Sequence, residues 1–206
     1  FDAAHWAELA GLGWHAMAIP EEYGGAGYGF LELAVLLEEM GASVLPAPFF
    51  STVVLGANAV LLAGSEEQRA AILPGVAMGE VRLAVAIGED EGPWAADRIK
   101  TTATADGDGW SLTGEKRFVV DGHHADHLIV AADTGDGVGL FVVDAGAPLL
   151  TVRLASLAEA AAKWQAAHWE VAALEREQER LTKLAAQGLA KADVRAAVDV
   201  ELARAR

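Results

Sequence analysis

The sequence predicts an α+β protein in which helices come first, strands follow, and helices return. Residues 1–79 place apolar side chains at three- and four-residue steps, which is the period of amphipathic helices. Residues 80–154 contain short runs rich in Val, Thr, Leu and Phe between glycine turns, and residues 155–206 contain a long stretch without Gly or Pro. Because helices and strands are segregated along the chain, an alternating parallel fold is not expected.

Four helices are predicted in the N-terminal α-helical domain, residues 1–79. They are AHWAELAGLGW (4–14), FLELAVLLEEMG (30–41), STVVLGANAVLLAG (51–64) and SEEQRAAILPGVAMG (65–79). The expected caps are Gly41 at the end of the second helix and Ser51 or Thr52 at the start of the third. Ser65 and Gln68 fit a capping box at the start of the fourth helix, and Pro74 is expected to end it.

Six strands are predicted in the middle β-domain, residues 80–154. The runs are VRLAVAIGE (81–89), KTTATADGDG (100–109), WSLTGEKRFVVDG (110–122), HLIVAAD (127–133), VGLFVVDAG (138–146) and LLTVRL (149–154). Turn sequences at this spacing are typical of antiparallel sheets. We therefore expect an antiparallel β-sandwich or barrel in the middle of the chain.

The last segment, residues 155–206, reads as a helical tail. Apolar side chains recur from Leu157 to Ala185 at helical spacing, and Gly188 breaks the pattern before a second helical stretch. A long helix with alternating Glu and Arg suits subunit association.

Composition excludes several classes of protein. The formal net charge is −15, so no basic footprint for nucleic acid exists. No run approaches the roughly 18 apolar residues of a membrane span. The absence of cysteine excludes disulfides and thiol catalysis and fits a cytoplasmic protein. The missing start Met leads us to expect a chain cut from a longer one.

The run GGAGYG (24–29) raises the question of a phosphate-binding loop. A dinucleotide-binding fingerprint needs a strand before the glycines and a second parallel strand after the helix. Here Pro20 precedes the run, and a proline turn follows the next helix. We therefore interpret GGAGYG as a connector between two helices.

The same stretch resembles the acyl-CoA dehydrogenase family. GWHAMAIPEEYGGAGYGFLELAVLLEEMG is similar to the N-terminal helical domain of that family, LLAGSEEQRAAILPGVAMGEVRLAVAI to its passage into the β-domain, and GDGWSLTGEKRFVVDGHHADHLIVAA to its middle strands. The resemblance covers about residues 1–154. It implies an α-domain, a β-domain and a C-terminal helical bundle, with FAD as cofactor and an acyl-CoA thioester as substrate, in fatty acid or steroid degradation in bacteria.

The resemblance also implies a set of flavin and substrate contacts. The family motif hydrophobic-Thr-Glu-Pro followed by Gly-Ser-Asp falls on residues 86–103, and the motif aromatic-hydrophobic-Ser/Thr falls on residues 118–120. The implied FAD contacts are Ile87, Gly88, Pro93, Phe118, Val119 and Val120, and the implied substrate contact is Trp94. Hydroxyls expected at Gly88 and Val120 are missing, which predicts weakened flavin binding.

No catalytic residue is assigned, because the family's glutamate base lies in the C-terminal bundle and residues 155–206 do not resemble that bundle. Some bacterial members pair two unlike subunits, one of which lacks part of the catalytic set. We expect a chain of that kind, a homo- or hetero-oligomer that alone holds no tightly bound flavin and has no dehydrogenase activity. The alternative is a non-catalytic scaffold or a damaged fragment that associates through its last helix.

Two further motifs allow more than one interpretation. HHADH (123–127) offers metal-binding side chains, but alternate residues of a strand point in opposite directions, so a turn is the simpler interpretation and no metal is assigned. Lys116, in the family's Gly-x-Lys motif, is interpreted as one half of a structural ion pair, with catalysis as the alternative.

Overall fold

Helices form the first part of the chain. The computed structural model describes residues 1–89, 95–107, 109–153 and 178, and Phe1–Val152 form one unit. In this unit the helices are α1 (Ala3–Gly11), α2 (Phe30–Ala42), a π-helix (Phe50–Gly56), α3 (Ala57–Ala63) and α4 (Glu66–Ala77), with 3-10 turns at Glu21–Tyr23 and Ala96–Arg98. None of the helices in the described part of the chain is long and apolar enough to cross a bilayer.

The strands form a mixed sheet around one central strand. They are β1 (Leu83–Ala86), β2 (Thr102–Asp106), β3 (Gly109–Thr113), β4 (His127–Asp133) and β5 (Val138–Asp144). The central strand β4 pairs antiparallel with β5 on one side and parallel with β1 on the other, and its last residue also pairs with the start of β2. β2 and β3 form an antiparallel hairpin. The α+β class with a middle sheet domain is confirmed. The predicted antiparallel pairing is found in β2–β3 and β4–β5, whereas the pairings of β4 with β1 and with the start of β2 are parallel.

Helix ends differ from the expected ones in three places. α2 runs through Gly41 and is capped by Ser43. The third helical stretch begins as a π-helix whose N-terminus has no side-chain cap, so neither Ser51 nor Thr52 caps it. α4 starts at the predicted capping box of Ser65 but continues past Pro74 to Ala77, because a proline in the last turn removes only one helical hydrogen bond.

Two predicted strands are shorter or absent. The run 110–122 is extended only up to Thr113, after which the chain crosses to the end of β1 in an irregular segment. Residues 149–153 form no strand, and Leu149 has a backbone φ of +68° that no extended strand allows. The helices predicted for 155–206 lie outside the described residues, apart from Gln178.

In the described part of the chain the core consists of three apolar clusters. The first joins α3 and α4 to β1 through residues that include Leu73, Val76 and Leu83, each 0–1% exposed. The second joins α1, α2 and the π-helix, and the third lies in the sheet between β1 and β4. Packing of α3 and α4 against β1 therefore fixes the helical part to the sheet.

The GGAGYG run is a connector, as predicted. Its amides are bonded to carbonyls of the preceding turn: Ala26 N donates to Ala16 O at 2.8 Å, and Tyr28 N donates to Met17 O at 2.9 Å. A Cβ on Gly25 would lie 1.8 Å from the Ile19 carbonyl oxygen, so this approach requires glycine. Amides bonded in this way do not cradle a phosphate.

His15 is a buried histidine in an aromatic cluster. It is 0% exposed, and its ring meets Trp6 edge-on at 4.0 Å between centroids and Phe49 at 5.6 Å. Neither ring nitrogen makes a hydrogen bond of normal geometry, and the Leu9 backbone only partly offsets the effect of burial on the pKa of the ring. Burial lowers the pKa of His15 from 6.5 to about 4, so the folded protein holds this ring neutral at pH 5.

We expect acid to destabilise the fold through His15. Between pH 6.5 and 4 the unfolded chain binds a proton at this residue and the folded chain does not, so stability is lost as the pH falls through this window. From pH 7.5 to pH 5, the His15 contribution to this loss is up to about 2 kcal/mol. Urea denaturation at both pH values should show a smaller loss in His15→Phe than in the wild type. Equal losses in the two proteins would contradict this assignment.

Candidate functional site

The structure brings the two predicted flavin-contacting segments together. Ile87 and Gly88 follow β1 directly, and residues 118–120 lie in the irregular segment after β3. Arg117 N donates to Gly88 O at 2.7 Å, and Lys116 Nζ donates to Ile87 O at 3.3 Å. These bonds hold the second segment against the end of β1. Pro93 and Trp94 lie outside the described residues.

The side chains of residues 118–120 divide between solvent and core. Phe118 is 61% exposed and Val120 is 43% exposed. Val119 is half-buried and packs against the apolar cluster of Ala84, Ala86, Leu128 and Val130. The Val119 anchor therefore places an exposed aromatic ring and an exposed aliphatic side chain beside the end of β1.

A buried ion pair between Glu89 and Lys116 connects these two segments. Lys116 Nζ lies 2.6 Å from Glu89 Oε1, and the two side chains are only 9% and 7% exposed. The carboxylate also accepts hydrogen bonds from Thr101 Oγ1 at 2.6 Å, from Thr101 N at 2.9 Å and from Lys100 N at 2.6 Å. The prediction that Lys116 forms a structural ion pair is confirmed.

The environment of Glu89 makes it a poor proton acceptor. Burial works to raise the pKa of its carboxyl, but the bonds from Lys116, Thr101 and Lys100 outweigh burial and lower the pKa to about 2. A general base is most effective when its pKa lies near the working pH, so Glu89 is a structural group. Sequence analysis missed Glu89 and Thr101. The usable signal was the first acidic residue after a buried strand, together with the lysine of the Gly-x-Lys motif.

The HHADH motif forms a turn and a second ion pair. Residues 120–124 are a turn, as predicted, and Asp126 binds Arg82 through two bonds of 2.8 and 2.9 Å. The rings of His123 and His124 are tilted by 45° with their centroids 3.7 Å apart, whereas His127 begins β4 and its Nδ1 lies 4.0 Å from Asp144 Oδ2. In residues 1–89, 95–107 and 109–153, no group of three or more His, Asp or Glu side chains is arranged to hold a metal ion.

The site fits a flat aromatic cofactor only in part. The exposed ring of Phe118 can pack against a fused ring system, and the backbone N–H groups of residues 87–88 and 118–120 lie near it, whereas the carbonyls of Ile87 and Gly88 already accept from Lys116 and Arg117. Gly88 and Val120 supply no hydroxyl at the two positions where the resemblance implies one. The residues present thus suit packing and backbone contacts, with fewer side-chain hydrogen bonds than the family motif provides.

Breaking the buried ion pair should destabilise the protein far more than breaking an exposed one beside it. Lys116→Met leaves the Glu89 carboxylate buried without its cation, and we expect a loss of about 3–5 kcal/mol in the free energy of unfolding. Arg117→Met is the matched control, because its bond to Glu115 at 3.2 Å is exposed and such pairs contribute about 0–1 kcal/mol. Urea denaturation at pH 7 measures both, and similar losses in the two variants would contradict the buried-pair interpretation.

Two family models match this chain. The N-terminal domain model of the acyl-CoA dehydrogenases matches residues 1–80, and the middle domain model matches residues 84–170. Among solved structures, a variant of the steroid ACAD Tcur3481-Tcur3483 is 48% identical with a TM-score of 0.66, covering 72% of this chain and 40% of that one.

Two further structures agree with these matches. The ChsE4-ChsE5 complex from Mycobacterium tuberculosis is 32% identical with a TM-score of 0.68, over 75% of this chain and 41% of that one. A glutaryl-CoA dehydrogenase from Mycobacterium smegmatis in complex with FADH2 is 27% identical with a TM-score of 0.68, covering 76% of this chain and 41% of that one. The chain spans 39% of the length of the first curated relatives it matches. From these matches, the chain belongs to the acyl-CoA dehydrogenase family.

Proposed function

We propose that this chain supplies the flavin-facing part of an acyl-CoA dehydrogenase active site. The observation that carries the proposal is the contact between Gly88 and Arg117, which joins the two family flavin motifs and leaves the Phe118 ring exposed beside them. Support also comes from a relative whose structure contains FADH2. The reaction is α,β-dehydrogenation of an acyl-CoA thioester, for which FAD, when bound, would supply the acceptor of the hydride from the β-carbon.

In that reaction, the residues of this chain bind and orient the cofactor and the substrate. The Phe118 side chain packs on the cofactor, Val119 anchors the segment in the core, and the backbone of Ile87 and Gly88 contributes hydrogen-bonding groups. Pro93 and Val120 complete the proposed FAD contacts, and Trp94 is the proposed substrate contact.

The catalytic base comes from another source in this proposal. The base must remove the α-proton of the thioester, and Glu89 is unsuited because its carboxyl is bonded on both oxygens and has a pKa of about 2. We propose that a second dehydrogenase subunit supplies the base. The similarity to the ChsE4-ChsE5 complex supports such a pairing.

We propose domain limits of 1–79, 80–154 and 155–206. The change from helices to strands between α4 and β1 and the two family matches support a boundary near residue 80.

Truncating the exposed ring should weaken FAD binding. We expect Phe118→Ala to raise the dissociation constant for FAD about fivefold, because an aromatic contact contributes roughly 1 kcal/mol. Titration of FAD fluorescence with the purified chain measures this change. Leu62→Ala, which removes another exposed apolar side chain (83% exposed, on α3), is the control and should leave the constant unchanged. Identical titrations for the wild type and Phe118→Ala would refute the proposed contact and favour the scaffold alternative.

Restoring the missing hydroxyl should strengthen FAD binding. Thr has nearly the shape of Val, so Val120→Thr adds a hydrogen-bonding group where the family motif has one. We expect up to about tenfold tighter binding, the effect of one ordinary hydrogen bond. After desalting of FAD-loaded protein, the variant should retain more flavin absorbance than the wild type. Val120→Ala serves as the comparison, and an equal gain in that variant would show that the hydroxyl is not responsible.

A further inference from the structure

The segment that carries Phe118 has a strained backbone. Phe118 has a φ of +56° and Asp121 a φ of +54°, in the left-handed region that side chains other than Gly rarely adopt. A bulky aromatic residue is least suited to that region. Such conformations persist only where surrounding contacts hold them.

Asp121 is held by a serine from the helical part of the chain. The single hydroxyl proton of Ser51 has two acceptors within reach, and the contact with Asp121 Oδ2 at 2.8 Å is shorter than the contact with Pro48 O at 3.0 Å. Ser51 is 0% exposed, so its hydroxyl must find its partners within the protein. The Asp121 carbonyl accepts from His124 N at 2.8 Å, so both the side chain and the backbone of this residue are bonded.

The same π-helix is also hydrogen-bonded to the start of β1. Thr52 Oγ1 accepts from Leu83 N at 3.2 Å and lies 3.3 Å from Leu83 O, within donating distance. Two neighbouring residues of one helical turn, Ser51 and Thr52, therefore bind the turn that follows Val120 and the first residue of β1. π-helical turns are rare and occur frequently at functional sites.

We infer that Ser51 and Asp121 are positioning residues that fix the orientation of Phe118. The Ser51 hydroxyl holds the Asp121 side chain, Asp121 holds the turn that follows Val120, and that turn sets the strained backbone of Phe118. The inference rests on the proposed function, because Phe118 is the proposed FAD contact. It adds a link between the helical part of the chain and the flavin-facing segment.

Substitutions at position 121 separate the backbone conformation from the hydrogen bond. Asp121→Asn keeps an oxygen acceptor for Ser51 and tolerates positive φ, so it should behave as the wild type. Asp121→Gly keeps the conformation but loses the bond, and Asp121→Ala loses both. Ser51→Ala removes the bond from the other side, and Ser111→Ala, at an exposed serine on β3, is the control.

The first measurement is amide hydrogen exchange of residues 117–122 in each variant, which needs no flavin. In Ser51→Ala and Asp121→Gly we expect exchange to rise about tenfold in this segment, as for loss of one hydrogen bond to a carboxylate. Exchange in β4 should stay unchanged in both variants. Combining the two substitutions should add little, since both remove the same bond. Unchanged exchange in the segment, or equal acceleration throughout the sheet, would overturn the inference.

The second measurement is the FAD titration of the same variants. Weaker binding in Ser51→Ala and recovery in Asp121→Asn relative to Asp121→Ala support the positioning role. If Phe118→Ala weakens FAD binding but Ser51→Ala does not, the positioning inference fails and the proposed function stands. If exchange responds as expected but Phe118→Ala leaves FAD binding unchanged, the proposed function fails and the flavin-directed part of the inference fails with it.

Discussion

Glu89 is the point at which three separate stretches of the sheet region meet. Its carboxylate receives the Lys116 ammonium from the segment after β3 and the Lys100 and Thr101 amides from the segment before β2, and Glu89 itself follows β1. A carboxylate with 7% exposure is tolerated in the folded state only because its oxygens are bonded. Residues 117–120 therefore lie beside β1 because the buried Glu89 carboxylate binds Lys116.

The hydrogen bond between Ser51 and Asp121 holds the other end of the segment that contains Phe118. Lys116 precedes Phe118 and Asp121 follows it, so the strained residue lies between a bond to the sheet and a bond to the π-helix. Each attachment is made by a side chain that is buried or partly buried. Strain in a short segment survives when both of its ends are held in this way, since relaxation of the backbone would break at least one bond.

The parts of the fold that sequence could predict are those written in local patterns. Ser65 and Gln68 lie three residues apart, so their capping box was predictable and is present. The partner of Lys116 is 27 residues away, and Ser51 and Asp121 are 70 residues apart, so no local pattern links them. Likewise, glycine turns show where strands end but not which strands pair, and the parallel pairing of β1 with β4 was not foreseen. For the site, the family motifs located both segments, whereas the residues that hold the segments in place could be identified only from the three-dimensional structure.

The positive φ of Phe118 places stability and activity in opposition at one residue. Glycine adopts that backbone conformation without steric cost, so selection for thermal resistance alone would tend to replace the aromatic ring. The ring would persist only under selection for something that the folded state by itself does not need. Among family members that share this turn, an aromatic residue at this position therefore indicates that cofactor contact is still under selection. A glycine there indicates a chain that has kept only the fold.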